Sequence, residues 1–282
     1  MTTISDITIS YQNRDGLKCT LDSLFGQRLE EYDLRLQVIV VDGGSSDGSR
    51  ELLEEYDVRL KAGEFSKSID FTYISEPDKG IYNAMNKGIQ MAGGEWVLFL
   101  NSGDTMSEMD SLGRFFTEAG NIFLNVNDID ILYGDSDRAY NNNCNRVAPS
   151  PLTFMVRGLP FSHQACFTKL DLFKKRPYDE SYEISGDYEW FLNAYMNGCR
   201  FGYAPVCVSR FDTKGISATR LYDNWVEADR IRDRYGLAGT GLTRKLKRLS
   251  WYILDKLHVN SRIIEKINSK LASNLTFTKY RH

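Results

Sequence analysis

Carboxylates recur in this 282-residue chain where short apolar runs end. Val38-Ile39-Val40-Val41 leads directly into Asp42-Gly43-Gly44-Ser45-Ser46-Asp47-Gly48-Ser49. Ile69 to Ile74 leads to Glu76-Pro77-Asp78-Lys79-Gly80, and Trp96 to Leu100 to Asn101-Ser102-Gly103-Asp104. The first run, Ile4 to Ser10, ends at Ser10-Tyr11-Gln12 without an acid. An unpaired carboxylate after four buried β-branched residues costs several kcal/mol, so Asp42 is expected to face a ligand. Asp47 reads as a turn or helix-capping residue, with Ser49 the competing cap. Asp104 suits a hard cation held by few protein carboxylates and shared with substrate phosphates.

The elements that must carry these residues follow from periodicity. Ile4–Ser10, Leu34–Val41, Ile69–Ile74 and Trp96–Leu100 read as strands, the second buried on both faces. Leu17–Phe25, Ser49–Tyr56 and Ile81–Met91 have helical spacing between them. Alternation of this kind predicts an α/β fold with a mostly parallel central sheet and helices on both faces. Ligands then bind at the carboxyl ends of the strands, where the carboxylates lie. After about residue 129 the rhythm changes. Ile129–Tyr133, Phe161–Phe167 and Phe201–Val208 read as strands, Tyr140–Asn143 as a turn and Tyr188–Met196 as a helix.

Composition excludes other classes. A net charge of −3 argues against a nucleic-acid binder, and 26% charged residues fit a folded globular surface. The five cysteines, at 19, 144, 166, 199 and 207, form no CxxC pair and are odd in number. They read as reduced thiols in a cytoplasmic protein. The start, MTTISDITISYQ, has no signal-peptide pattern. Trp96–Leu100, the longest apolar run near the middle, falls far short of the ~20 residues of a membrane span. There is no G-x-G-x-x-G after the first strand and no P-loop motif.

The segments TISYQNRDGLKCTLDSL, VIVVDGGSSDGS, SEPDKGIYNAMNKGI and WVLFLNSGD occur here in order. Together they resemble family 2 glycosyltransferases of the GT-A fold, most closely the bacterial branch that builds exopolysaccharide, O-antigen and colanic-acid-type repeat units. The resemblance spans roughly residues 4 to 218. It implies that Ser10 and Tyr11 line the nucleotide base pocket and that Asp42 bonds the base. Asp78 and Lys79 then flank the ribose and diphosphate. Asn101, Ser102 and Asp104 occupy the place of the family's acidic metal motif, of which only Asp104 keeps the acid; with two phosphates it could hold Mg²⁺ or Mn²⁺. The family's common Arg in the third helix falls at Met85. Asp187 takes the place of the general base, with Gly186 where a Glu is usual. By residue type alone Asp187 also fits an N-cap of helix 188–196, and Glu189 points elsewhere on that helix. A lone His is ordinarily a packed or surface residue; similar sequences carry a His-Gln pair here, so His163 is expected in the donor or acceptor pocket. Gly215-Ile216-Ser217 reads as an ordinary turn or a loop over the diphosphate.

The resemblance divides the chain into a GT-A domain, 1–218, and a C-terminal extension, 219–282. The domain has a nucleotide-binding half to about 105 and an acceptor half over 106–218. From Arg244 onward ten basic residues face only Asp255 and Glu265. Leu246, Leu249, Ile253 and Leu257, then Ile263, Ile264, Ile267 and Leu271, lie at helical spacing, so the tail reads as one or two basic amphipathic helices. They would pack on the domain, bind the anionic inner face of the plasma membrane, or form a homodimer interface. The activity implied is an inverting transfer from a UDP- or GDP-sugar to a saccharide, carried on a polyprenyl diphosphate. The rival readings are a degenerate transferase that binds without turnover and a sugar-nucleotide pyrophosphorylase. TISYQNRDG lacks the Gly-rich, Arg-containing loop of the latter.

Overall fold

A computed structural model describes residues 1–140, 143–212, 215 and 219–237. The chain divides into two units, Met1–Thr213 and Lys214–His282. The basic segment 244–282 and positions 216–218 lie outside the described residues.

The first half alternates as the periodicity predicts. It runs β1 (Thr2–Ser10), α1 (Arg14–Phe25), β2 (Leu34–Asp42), α2 (Ser49–Lys61), β3 (Ile69–Ser75), α3 (Ile81–Met91) and β4 (Trp96–Phe99). The second half adds β5 (Thr105–Met106), α4 (Ser111–Ile122), β6 (Ile131–Tyr140), β7 (Asn143–Val147), β8 (Cys166–Lys169), α5 (Leu170–Lys175), α6 (Gly186–Met196) and β9 (Phe201–Asp212). In the second unit, α7 spans Leu221–Arg234.

The strands form one mixed sheet in the order β3-β2-β1-β4-β8-β6-β9-β5, with β7 beside β6. The block β3-β2-β1-β4 is parallel. Parallel pairing returns only between β6 and β9, and β8, β5 and β7 pair antiparallel with their neighbours. "Mostly parallel" therefore holds for the β3-β2-β1-β4 block, and the remainder of the sheet is mixed.

Side-chain alternation sorts the two faces. Ile4, Leu36, Val38, Val40, Trp96 and Leu98 share one apolar cluster with Leu17, Leu21 and Leu24 of α1, Leu52 and Tyr56 of α2, and Leu112 and Phe115 of α4. The opposite face carries Phe99, whose ring meets His163, Phe173 and Tyr178, and α3 packs against β1 and β2.

Two expectations change in the second half. Strand structure begins only at Cys166; Phe161–Ala165 instead turns through a 3₁₀ segment, His163–Ala165. Pro160 offers no amide to a ladder, and the Ala165 amide bonds back to the Ser162 carbonyl. Helix α6 starts at Gly186 with Ser185 at its N-cap, so Asp187 lies inside the first turn and is not the cap.

Candidate functional site

The loops after β1, β2 and β4 are tied together by short side chains. Asn13 donates from Nδ2 to the Ser102 carbonyl (3.1 Å) and Ser102 Oγ (3.0 Å). The Gln12 amide donates to Ser45 Oγ at 2.8 Å. Asp47 accepts from the Arg14 amide (2.8 Å) and from the Ser49 amide and hydroxyl, so it caps the start of α1 from a different loop. Burial works against the Asp47 charge, but hydrogen bonds from Ser49 and the Arg14 amide hold its carboxyl below the usual range.

Asp42 is fully buried and supplied with donors by the protein itself. Its Oδ2 accepts from the Ser45 amide (2.9 Å) and Ser75 Oγ (2.6 Å), and its Oδ1 from Ser45 Oγ (2.5 Å). The desolvation argument that pointed Asp42 at a ligand is thus answered internally. With three donors taken, one acceptor direction remains on Oδ1.

Beyond it, Tyr11 is exposed, and Asp78 folds over the glycine turn with Oδ1 accepting from the Gly80 amide. A Cβ on Gly43 would lie 2.6 Å from Asp78 Oδ2 and 3.1 Å from the Tyr11 ring. A side chain there would displace the Asp78 carboxylate or the exposed Tyr11 ring, so Tyr11, Gly43 and Asp78 stand together. The Lys79 amide donates to Asn83 Oδ1, and its side chain is exposed. Met85, at the family's Arg position, is buried in the core face of α3.

Two buried oxygens among these strand ends, Ser10 Oγ and Asn101 Oδ1, have no hydrogen-bond partner in the protein. Buried polar atoms without a partner are uncommon in folded proteins.

Asp104, nearly buried, turns tightly after Asn101, its amide bonding the Asn101 carbonyl. Thr20 Oγ1 donates to the Asp104 carbonyl at 2.7 Å, and Gln164 Nε2 donates to Asp104 Oδ2 at 3.2 Å. Among the described residues no group of three His, Cys, Asp or Glu side chains gathers to hold a metal. The donor set nevertheless fits a hard cation that takes one carboxylate and completes its shell with phosphate oxygens. Asp104 supplies the charge, and the unpartnered Asn101 Oδ1 in the same turn supplies a neutral oxygen.

The neighbour of Gln164, His163, faces the other carboxylate. Its Nδ1 lies 3.9 Å from Asp187 Oδ2, and its Nε2 is 3.0 Å from the Tyr178 hydroxyl. Burial pulls the imidazole down to about 4, so the ring is neutral at physiological pH. Asp187, partly exposed, accepts from the Tyr188 amide at 2.7 Å. The Tyr82 hydroxyl accepts from the Asp187 amide at 3.2 Å and donates to the Ile184 carbonyl at 2.7 Å. A Cβ on Gly186 would sit 2.7 Å from the Tyr82 ring, which gives the glycine at the usual Glu position a steric cause. Glu189 points away as its helical offset predicts, fully buried and bonded through both oxygens to Arg176 at 2.7 Å.

One 3₁₀ segment therefore touches both candidate carboxylates, Gln164 bonding Asp104 and His163 lying beside Asp187. Tyr82, Tyr178 and Gln164 were not singled out in the sequence. The HQ pair and the aromatic-rich 178–191 stretch carried the only local signal. Of the Gly215-Ile216-Ser217 loop only Gly215 is described, and it is exposed.

A mixed α/β sheet with its functional candidates on the strand-end loops is the architecture of the GT-A class. The family model described as glycosyl transferase family 2 matches residues 5–177, and the chain belongs to this family of glycosyltransferases. An uncharacterised glycosyltransferase of Mycobacterium tuberculosis is 33% identical over 225 residues, 77% of this chain and 78% of that protein. The fold also matches S. aureus TarS 1–349 in complex with UDP-GlcNAc, with a TM-score of 0.62 and 17% identity over 92% of this chain and 74% of that one. This chain spans 44% of the longer TarS chain. Mannosyltransferase PcManGT of Pyrobaculum calidifontis, solved with GDP-Man and Mn²⁺, matches at a TM-score of 0.60 and 14% identity, over 97% and 75% of the two chains.

Proposed function

We propose that this glycosyltransferase inverts the anomeric centre as it moves one sugar from a UDP- or GDP-sugar to a saccharide acceptor. The acceptor is carried on a polyprenyl diphosphate, in cytoplasmic assembly of a bacterial surface polysaccharide at the inner face of the plasma membrane. The observation that carries this reading is the bridge from Asp104 through Gln164 and His163 to Asp187. It links the carboxylate we assign to the diphosphate, Asp104, to the partly exposed carboxylate we assign as base, Asp187.

Tyr11 stacks on the base, and Asp42 reads it through its remaining acceptor direction while bracing the Gly43–Ser45 turn. Asp78, Ser10 and Ser102 hold the ribose and the loops around it, and Lys79 offsets phosphate charge. Asp104 and Asn101 would hold Mg²⁺ or Mn²⁺, which when bound compensates the charge on the departing diphosphate. Asp187 accepts the proton of the acceptor hydroxyl as its oxygen bonds the anomeric carbon. The glycosyl–phosphate bond breaks on the opposite face, and its electron pair leaves with the nucleoside diphosphate.

The test pairs binding with turnover. A diphosphate at 100 times its Kd adds about 2.7 kcal/mol of stability. In a melting panel of UDP, GDP, CDP and dTDP with and without Mn²⁺, either UDP or GDP raises the Tm, and more so with metal. Asp187→Asn keeps that shift and loses transfer. A flat panel overturns the donor-site reading, and wild-type transfer by Asp187→Asn overturns the base assignment.

A further inference from the structure

The geometry points to His163 as a positioning residue that holds Asp187 in its reactive orientation through Nδ1–H, with the Tyr178 hydroxyl fixing the imidazole tautomer. This rests on Asp187 being the base. His163 is only 7% exposed, and its ring packs against Phe99 at 5.0 Å and Phe191 at 5.7 Å. It has little surface to offer a substrate, and its two nitrogens are committed in opposite directions. One faces the Asp187 carboxylate and the other the Tyr178 hydroxyl.

A neutral imidazole has one N–H. A lone pair on Nδ1 would face the negative carboxylate, whereas Nδ1–H attracts it. That choice leaves Nε2 as acceptor, and Tyr178 is the available donor. Tyr178 is fully buried and stays protonated, because burial and the nearby Asp187, Tyr82 and Cys166 all disfavour the phenolate. The titratable groups that the structure places beside His163 are Asp187 on α6 and Tyr178 before it. Neither is a cation.

The chain of donors is thus Tyr178 O–H to Nε2, then Nδ1–H toward Asp187. At 3.9 Å the last contact is longer than a hydrogen bond; catalytic contacts in unliganded sites are often long and tighten when substrate binds. A donor aimed at the ionised carboxylate favours the charged form. His163 therefore both orients the base and keeps it deprotonated.

The measurement is kcat, donor KM and the pH dependence of kcat for the full chain and four variants, with Tm as the folding control. His163→Leu should lower kcat about tenfold, the equivalent of one ordinary hydrogen bond in the transition state, with donor KM unchanged. Its acidic limb should move to higher pH, because Asp187 has lost one of the donors that favour its charged form. His163→Asn, whose amide takes the place of Nδ1–H, should recover most of kcat. Tyr178→Phe should lower kcat and shift the limb by freeing the other tautomer. In the His163→Asn background, Tyr178→Phe should have no further effect.

Wild-type kcat and pH limb in both His163→Leu and Tyr178→Phe overturn the inference. So does an unchanged loss on adding Tyr178→Phe to His163→Asn, which marks a packing role only. Should His163→Leu fail to fold, the His163→Asn and Tyr178→Phe pair decides alone. Asp187→Asn is run alongside. If it retains transfer, the base reading fails; if it is dead while the His163 and Tyr178 variants are normal, only the positioning role fails.

Discussion

Asp6 is the least well-satisfied carboxylate among the described residues. It sits mid-strand on β1, with Val38 and Leu98 as its register partners on β2 and β4, and is fully buried. Oδ2 accepts from Thr8 Oγ1 at 2.9 Å, and Oδ1 has no partner. Burial, only partly offset by the Thr8 bond, raises its pKa well above the ordinary value of 3.8, so folding favours the neutral form of the group. The sign of the pH effect follows. The folded state binds the proton more tightly than the unfolded chain, so this contribution is full below the unfolded pKa and is lost as pH rises through the folded one. Over that window one proton is worth about 1.4 kcal/mol per pH unit. Asp6→Asn keeps the shape without the titration. Its Tm should match the wild type near pH 4 and exceed it at pH 7–8. Parallel Tm–pH curves for the two proteins would remove Asp6 from the account.

At the scale of elements, the start of α6 is set by α3. Tyr82 lies against Gly186 and anchors the Asp187 amide and the Ile184 carbonyl. Asn86 of α3 clamps the preceding segment, accepting from the Tyr178 amide at 2.9 Å and donating to Glu180 at 3.0 Å. Gly186→Ala would push a Cβ into the buried Tyr82 ring, which its hydroxyl bond prevents from yielding. Displacement of a catalytic group by about 1 Å costs roughly 100-fold in rate. This variant should therefore lose kcat on that scale while keeping the diphosphate-induced Tm shift, and wild-type kcat would show that α6 tolerates the intrusion. These elements differ in how legible they were in the sequence. The β1–β4 and α1–α3 block could be read to within a few residues, because its periodicity is local and its strands are buried on both faces. Helix α4 was missed although Leu112, Phe115, Phe116 and Ala119 carry helical spacing. The segment Phe161–Phe167 reads as strand from sequence, but Phe161–Ala165 turns instead, set by Pro160 and by the stacking of Phe161 on Tyr133. The strand-end residues could be found from position alone. The roles of Tyr82 and Gln164 could not, because they act on Asp187 and Asp104 across 105 and 60 residues of chain.

Across the whole molecule, charge is divided unevenly. The net charge is −3, yet the segment from Arg244 carries ten basic residues against two acids, leaving residues 1–243 at −11. An acidic domain is repelled by an anionic bilayer, and no helix among the described residues is long and apolar enough to cross one. The proposed lipid-carried acceptor would nevertheless require work at that surface. The tail lies outside the described residues, but its composition supplies the attraction. Basic side chains near an anionic leaflet contribute about 1 kcal/mol each, and apolar residues at helical spacing add burial in the headgroup region. The full chain should therefore float with vesicles containing anionic lipid and not with neutral ones. It should be stripped by high salt, because these contacts are screened. Deleting 244–282 should abolish flotation while leaving the diphosphate-induced Tm shift intact, since the nucleotide loops belong to the Met1–Thr213 unit. Flotation that survives the deletion would place the attachment elsewhere. A deletion that converts a dimer to a monomer, in a chain that never floated, would assign the same segment to self-association.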